Sequence, residues 1–259
     1  MLNIENTNLF KALEKVSYRH SSYSTCFSDF LDIVINYFLT LPNAELIKNY
    51  QVQYKDDFKY FELMFKDLLK LHQENCDNNF NKETNTGWCD ILGNLYETIS
   101  SKYKQSAMGQ YFTPETMCTF LAMILEPSGP GKYISEPCSG SGRMILAANS
   151  VCLGNFYSCV DLDPICTKMT AFNMMIHGLQ GQANCGNALW ITNNWNFGYE
   201  INSTLYTYGS PSIRLITKDQ SWEVRNFDKN FGKKDQAVIP NFPEIKLEPI
   251  LNSQQLTLF

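Results

Sequence analysis

The feature that most constrains this chain is a strand, a glycine-rich turn, a helix and a second strand between residues 133 and 161. A short strand pattern near Tyr133 to Ser135 leads into Glu136-Pro137-Cys138-Ser139-Gly140-Ser141-Gly142, and a helical pattern follows from Arg143 to Leu153. The apolar run from Phe156 to Asp161 is typical of the next strand. Because a strand–helix–strand unit favours parallel strands and a right-handed crossover, the sequence predicts an α/β fold with a Rossmann-like sheet.

The turn inside this unit has the composition of a ligand-binding loop. Glycines at 140 and 142 let the backbone approach a ligand closely, and the following helix offers free N–H groups to a polar or anionic group. Asp161 lies 19 residues after Gly142, near the spacing at which an acidic residue accepts hydrogen bonds from ribose hydroxyls. Together these features predict an adenosine-containing cofactor. The alternative is a turn kept only for folding, in which Glu136 and Asp161 cap helices or stay solvated.

Helical periodicity dominates the chain before this unit. Apolar residues recur at helical spacing in 27–38 and again in 58–69, whereas 75–86 is rich in Asn, Asp and Thr and predicts a surface loop. A short helix is predicted after Thr113 as its N-cap, with Pro114 at the first helical position.

After the βαβ unit, Asp163 and Pro164 predict the start of another helix, and a third strand is predicted near 183–185. The segments 204–208 and 212–217, joined by Gly-Ser-Pro, predict a β-hairpin. We therefore divide the chain into a helical N-terminal subdomain (1–105), a Rossmann domain (106–235) and an extended C-terminal tail (236–259).

Composition excludes several classes of protein. A formal net charge of −5 and a pI near 5.3 argue against a protein that coats nucleic acid or a membrane by charge alone. Nine cysteines without a CxxC pair fit neither a disulfide framework nor a zinc ribbon, and the three histidines are scattered, so we predict no metal site. The first residues lack the pattern of an export signal, which favours a cytoplasmic location without a membrane contact.

Several segments together resemble a known family. Residues 109–114 are GQYFTP, 136–142 are EPCSGSG, 160–164 are VDLDP, and 186–189 are GNAL. The chain resembles, over roughly 91–189, the adenine-N6 DNA methyltransferases of bacterial type I restriction-modification modification subunits. In that family GQFYTP, DPxxGSG, G-x-E-x-N-P and GD(T/S)L occur in this order and bind S-adenosylmethionine.

The resemblance implies a role for each matching position. Tyr111, Thr113 and Pro114 would contact the methionine end of the cofactor, Asp161 its ribose, and Leu162 its adenine ring, while Asn187 replaces an Asp that hydrogen-bonds the adenine amine. The complete cofactor-binding set is Tyr111, Thr113, Pro114, Glu136, Pro137, Gly140, Gly142, Asp161, Leu162, Asn187 and Ala188.

One motif of the family is missing. An (N/D)PP(F/Y) segment normally follows the GD motif, accepts the protons of the target amine and stacks on the flipped adenine. No such segment occurs here, and only 69 residues follow Trp190. We therefore expect a truncated or remodelled C-terminal half, assign no catalytic residue, and expect no methyl transfer by the chain alone. An atypical active enzyme, or a separate chain that supplies the missing parts, is the alternative.

The C-terminal sequence QQLTLF resembles the peptide by which bacterial polymerases and repair proteins bind the sliding clamp. Gln255, Leu256, Leu258 and Phe259 would be the partner-binding residues; a tail that packs on its own domain is the alternative. The partners implied are DNA, directly or through another subunit, a specificity or second methyltransferase subunit, and the clamp. A non-enzymatic adaptor that brings a partner to DNA or to the clamp is the rival function.

Overall fold

The computed structural model describes residues 2–84, 86–103, 112–125 and 129–231. The α-helices of the N-terminal part are α1 (Asn8–Arg19), α2 (Tyr23–Phe38), α3 (Ala44–Tyr54), α4 (Lys59–Asn75) and α5 (Ile91–Tyr103). The elements that follow are α6 (Glu115–Leu125), β1 (Tyr133–Glu136), α7 (Arg143–Val151), β2 (Phe156–Asp161), α8 (Pro164–Ile176), β3 (Gln180–Gly186), β4 (Trp195–Ile201), α9 (Leu205–Tyr208), β5 (Ile213–Ile216) and α10 (Trp222–Phe231).

Local signals in the sequence explain where the N-terminal helices begin. The Thr7 hydroxyl accepts a hydrogen bond from the Phe10 N–H at 3.2 Å, and Ser22 and Asn43 cap α2 and α3 in the same way. Each side chain satisfies a backbone N–H that the first helical turn leaves unpaired. These caps fix the residues at which α1, α2 and α3 begin.

Aromatic side chains join the helical layer to the sheet. Phe30 of α2 stacks on Phe61 of α4 with ring centroids 6.4 Å apart, and Phe38 meets Phe172 of α8 edge-on at 6.2 Å. One cluster of buried apolar residues therefore runs from the N-terminal helices into the α8 layer. Such continuous burial favours cooperative folding of the two parts.

The sheet has the strand order β1-β2-β3-β4-β5. The first three strands are parallel and are connected by α7 and α8, whereas β4 and β5 add antiparallel strands beside β3. The predicted Rossmann-like α/β fold is thus confirmed in its βαβαβ half. Alternate residues of β2 explain the layering, because Tyr157 and Cys159 face the α8 core while Val160 packs on Ile191 and Val224 of the opposite face.

The predicted hairpin over 204–217 is wrong in its first half. Residues 205–208 form α9, and the partner of β5 is β4. Asn202 has a φ of 56° and donates from its side-chain amide to the carbonyls of Met174, Met175 and Leu179. This buried anchor turns the chain out of the sheet before residue 204. The alternation of Trp195, Phe197, Tyr199 and Ile201 was the available signal for β4.

The position of β4 distinguishes this sheet from a complete doubly wound one. In such folds the fourth strand pairs with the free side of the first strand and creates a crevice there. Here β4 pairs with β3 instead, so β1 is an edge strand within the described residues. The expected remodelling after the third strand is therefore visible in the topology. None of the helices described is both long and apolar enough to cross a bilayer.

Candidate cofactor site

The carboxyl ends of the three parallel strands bring the predicted polar residues to one edge of the sheet. Glu136 ends β1, Asp161 ends β2, and Asn187 directly follows β3. Ligands of open α/β sheets bind at this edge because the loops there are free to approach them. The structure thus places three residues, distant in sequence, where a cofactor site of this fold is found.

The loop after β1 is held by backbone hydrogen bonds to β2. The Ser139 N–H donates to the Val160 carbonyl at 2.9 Å, and the Gly140 N–H donates to Asp161 Oδ2 at 2.8 Å. Gly140 and Gly142 have φ values of 56° and 94°, a region that side-chain-bearing residues rarely adopt. The two glycines of the predicted loop are therefore required by its conformation.

The start of α7 leaves donors available beside this loop. Gly142 is the N-cap residue, and as a glycine it has no side chain with which to cap the helix. N–H groups of an uncapped first turn are oriented toward polar or anionic groups of a ligand. Glu136, which is half-buried, accepts the Cys138 N–H at 3.1 Å and so borders the same opening.

Asp161 is the electrostatic centre of this edge. Its Oδ2 accepts the Gly140 N–H, and its Oδ1 accepts the Asp163 N–H at 2.9 Å. Burial raises the pKa of Asp161, while these backbone donors oppose that shift. A carboxylate offers about four lone-pair directions, so these backbone bonds leave acceptor capacity for hydroxyl donors.

Phe112 forms a wall over the loop. A Cβ atom added at Gly140 would lie only 2.9 Å from Phe112 Cδ1. The backbone of Gly140 therefore packs directly against the Phe112 ring. The ring stacks on Tyr96 at 5.6 Å, and the Arg143 guanidinium lies 5.4 Å from its centroid. The segment that carries Thr113 and Pro114 therefore enters the site against the glycine loop, with Thr113 and Pro114 exposed.

A buried polar network supports the loop from below. Asp90 is fully buried and accepts hydrogen bonds from Ser141 Oγ at 2.5 Å and from Arg143 Nε at 2.6 Å. Its other oxygen accepts the Gly93 N–H and the Asn173 amide, at 2.8 and 2.9 Å. Both carboxylate oxygens thus have two donors each, which offsets the cost of burying the charge.

Arg143 extends this network to α5. Its guanidinium donates to Glu97 Oε2 at 2.8 Å and to Asn94 Oδ1 at 2.9 Å. Burial opposes the charge of Arg143, but the carboxylates of Asp90 and Glu97 outweigh burial and raise its pKa. Ser141 of the loop and Arg143, the first residue of α7, are therefore fixed to the helical part of the chain.

The other predicted residues have less direct places in the site. Asn187 Oδ1 accepts the Leu189 N–H at 2.9 Å and caps a short 3-10 turn, so its side chain is already engaged. Leu162 is 55% exposed at the sheet edge, and Ala188 packs against the Val160 cluster. Pro137 is exposed within the loop. Tyr111 and the tail residues Gln255, Leu256, Leu258 and Phe259 lie outside the described residues.

Three residues of the site were missed by sequence reasoning. Asp90 had one signal, because it precedes a helix three residues before Gly93 and caps it. Phe112 lay within the motif but was not singled out, and Arg143 was identified only as a helix start. The hydrogen bonds that join Asp90 to Ser141 and Arg143, and Arg143 to Glu97, span 46 to 53 residues of sequence, so no local pattern predicts the network.

The contact between Gly140 and Phe112 gives a testable prediction. Gly140→Ala is expected to lower the free energy of unfolding by about 2–3 kcal/mol, since a left-handed residue costs about 1–2 kcal/mol and the ring must also move. Urea denaturation measures this change.

Gly129→Ala is the matched control for that substitution. Gly129 has a φ of 84°, and a Cβ there meets nothing within 4 Å. It isolates the backbone cost of about 1–2 kcal/mol. Equal losses in the two variants would contradict the proposed contact between the loop and the ring.

The topology and the glycine loop define β1 to β3 as half of a doubly wound, Rossmann-like α/β sheet. Residues 88–198 match the model of the N-6 DNA methylase family. The methylase subunit of the type I restriction enzyme HindI from Haemophilus influenzae is 31% identical over 100 residues, which are 35% of this chain and 22% of that protein. The chain spans about a fifth of the length of this curated relative.

A solved structure from Listeria monocytogenes is also similar. It is assigned to the class I S-adenosylmethionine-dependent methyltransferases and aligns at a TM-score of 0.38 with 12% identity, over 67% of this chain and 50% of that one. The fold assignment rests on the parallel topology above and not on this likeness. The resemblance to modification subunits is confirmed by the family match, and S-adenosylmethionine is the cofactor that the family implies.

Proposed function

We propose that this chain binds S-adenosylmethionine at the carboxyl edge of β1–β3 and acts in adenine-N6 modification of DNA. The observation that carries the proposal is the oriented carboxylate of Asp161 beside the glycine loop. Both of its oxygens are fixed by backbone donors, yet each retains an acceptor position for a ribose hydroxyl. A solvated aspartate at a strand end needs no such orientation.

The surrounding residues fit the cofactor. The uncapped turn of α7 supplies donors to a carboxylate or hydroxyl, Leu162 offers apolar surface to an adenine ring, and Phe112 closes the loop on the side of Thr113. When bound, S-adenosylmethionine would supply the methyl group. The residues named here would bind and orient it, and they exclude water from the Gly140 side of the site.

The step of methyl transfer is assigned to no residue of this chain. The (N/D)PP(F/Y) motif is absent from the sequence. Among the described residues the fourth strand pairs with β3, whereas in a doubly wound sheet it pairs with the first strand. We infer that transfer to DNA needs groups supplied by another chain, such as a second methyltransferase subunit. Docking of the C-terminal tail on a sliding clamp stays a separate prediction.

Calorimetric titration with S-adenosylmethionine and S-adenosylhomocysteine tests the cofactor proposal. The expected dissociation constant is of micromolar order, about −8 kcal/mol. Absence of heat and of thermal stabilisation at millimolar cofactor would reject it, because any ligand that binds only the folded state raises its stability.

Labelled methyl transfer to unmodified DNA tests the second part. The chain alone is expected to give no transfer, and addition of a second methyltransferase subunit together with a specificity subunit is expected to restore it. Transfer by the purified chain alone would contradict the proposal that another chain supplies the groups needed for transfer. Cofactor binding with no transfer in any combination would favour a non-enzymatic adaptor.

The pH dependence of binding provides a further prediction. Burial raises the pKa of Asp161, and only its ionised form accepts two hydroxyl donors. Affinity is therefore expected to fall as the pH is lowered through this raised pKa, by up to about tenfold per pH unit. Titrations across the acidic range measure the effect, and the Asp161→Asn variant should lose this part of the dependence. An identical profile in that variant would contradict the assignment.

A further inference from the structure

Four metal-binding side chains meet away from the cofactor site. His72 and Cys76 lie four residues apart at the end of α4, Cys89 precedes α5, and His177 follows α8. Their donor atoms all lie within 4.8 Å of one another. Sequence spacing does not predict this cluster, since His177 is 88 residues from Cys89.

The distances within this Cys2His2 cluster match those of a tetrahedral zinc site. The two Sγ atoms are 3.6 Å apart, and Nδ1 of His72 lies 3.8 Å from Sγ of Cys76 and 3.5 Å from Sγ of Cys89. Zinc bonds of 2.3 Å to sulfur and 2.0–2.1 Å to nitrogen place ligand atoms about 3.8 Å apart for two sulfurs and about 3.6 Å for sulfur and nitrogen. The cluster is therefore already at the ligand spacing of the ion.

His177 has the tautomer of a metal ligand. Its Nδ1 donates to the Asn173 carbonyl at 2.7 Å, so that Nε2 carries the lone pair. Nε2 accepts the Cys89 N–H at 3.2 Å, a hydrogen bond that an ion bound at Nε2 would replace. A backbone acceptor on the second nitrogen is the usual support of a metal-bound imidazole, because it fixes the tautomer and the ring.

The backbone around Cys89 is built for a close approach. A Cβ atom at Gly87 would lie 2.2 Å from the Cys76 carbonyl oxygen, so glycine alone allows the loop to reach the end of α4. A pocket of about 280 Å³, lined by His72, Cys76, Gly87 and His177 among others, opens to solvent beside the cluster. An ion therefore has a path of entry.

We propose that His72, Cys76, Cys89 and His177 bind one zinc ion and link α4, the loop before α5 and the end of α8. Four protein ligands leave no open coordination position, which is the pattern of a structural rather than a catalytic site. Zinc would then stabilise the contact between the N-terminal helices and the Rossmann half. The site is separate from the cofactor edge, so its test does not depend on cofactor binding.

Metal analysis of the reduced, untagged protein tests this proposal. Elemental analysis is expected to find about one zinc per chain, matching the four-ligand site. After chelation, titration with cobalt(II) is expected to give the visible bands of tetrahedral cobalt and a sulfur-to-metal charge-transfer band. Added zinc should displace cobalt and raise the Tm of the apoprotein.

Matched variants locate the ion. Cys89→Ser and His177→Gln are expected to lose the charge-transfer or tetrahedral spectrum, whereas Cys152→Ser and His20→Gln, which alter residues outside the cluster, should keep it. An unchanged spectrum in both cluster variants would overturn the proposal. So would folded, reduced wild-type protein that contains no zinc and takes up no cobalt.

A Cys76–Cys89 disulfide is the competing use of the two thiols. Their sulfurs are too far apart for a bond at 3.6 Å, but a small shift would join them. An intact mass showing this disulfide in protein purified without reductant, together with no metal uptake after reduction, would replace the zinc site by a redox pair.

Discussion

Asp90→Ala is expected to lower the free energy of unfolding by about 3–5 kcal/mol, because it leaves the buried charge of Arg143 without its main partner. The Arg143 side chain is 6% exposed and that of Asp90 is fully buried, and their atoms lie 2.6 Å apart. The variant also removes the acceptor of the Ser141 hydroxyl and one of the two acceptors of the Asn173 amide. Urea denaturation at neutral pH measures the loss.

Two further variants separate the buried charge from a general effect of removing a carboxylate. Glu74→Ala breaks an exposed i,i+4 pair with Lys70 and should change stability by less than about 0.5 kcal/mol. The double variant Asp90→Ala with Arg143→Met removes both charges and is expected to recover part of the loss. A single-variant loss no larger than that of Glu74→Ala would contradict the role of the network.

The elements of the fold that depend on local patterns were predictable from sequence. The βαβ unit around the glycine loop, the α8 start at Asp163 and the β3 strand all have strong local signals, and all three are observed. The direction of the chain after β3 was not predictable in the same way. Asn202 determines it through hydrogen bonds to carbonyls 23 to 28 residues away, and these long-range contacts leave no periodic trace.

The residues of the candidate site also fall into those that local sequence patterns predict and those that they do not. Glu136, Asp161 and Asn187 could be placed at one edge because parallel strands present their carboxyl ends together. The supports beneath them could not, since Asp90 and Arg143 meet only after the helical part docks on the sheet. The proposed zinc site is even less predictable from the sequence, because its ligands come from three separate elements whose spacing matches no local metal motif.

Among the described residues, β1 lies at the end of the sheet, with β2 as its neighbouring strand. Ser135 of this strand bonds to Glu223 of α10 at 2.9 Å, and Tyr133 meets Trp222 edge-on at 5.4 Å. Helix α10 thus contacts side chains of β1. The proposed cofactor site lies at the carboxyl end of the same strand, and it can be tested on this chain alone.

Asp161→Ala is expected to weaken S-adenosylhomocysteine binding by about 100-fold or more. Hydrogen bonds to a charged acceptor contribute about 1.5–3 kcal/mol each, and two of them would be lost together with the backbone contacts that hold Gly140 and Asp163. Calorimetric titration measures the change, with circular dichroism to check that the variant is folded.

Asp163→Asn is the control for this substitution. Asparagine keeps the capping acceptor for the Ile165 N–H, now bonded at 2.8 Å, and removes one charge two residues from Asp161. Its affinity should stay within about threefold of the wild type, since a partly exposed charge at that distance contributes little. If Asp161→Ala binds as tightly as the wild type, Asp161 serves only to hold the loop, and the cofactor site must be assigned elsewhere.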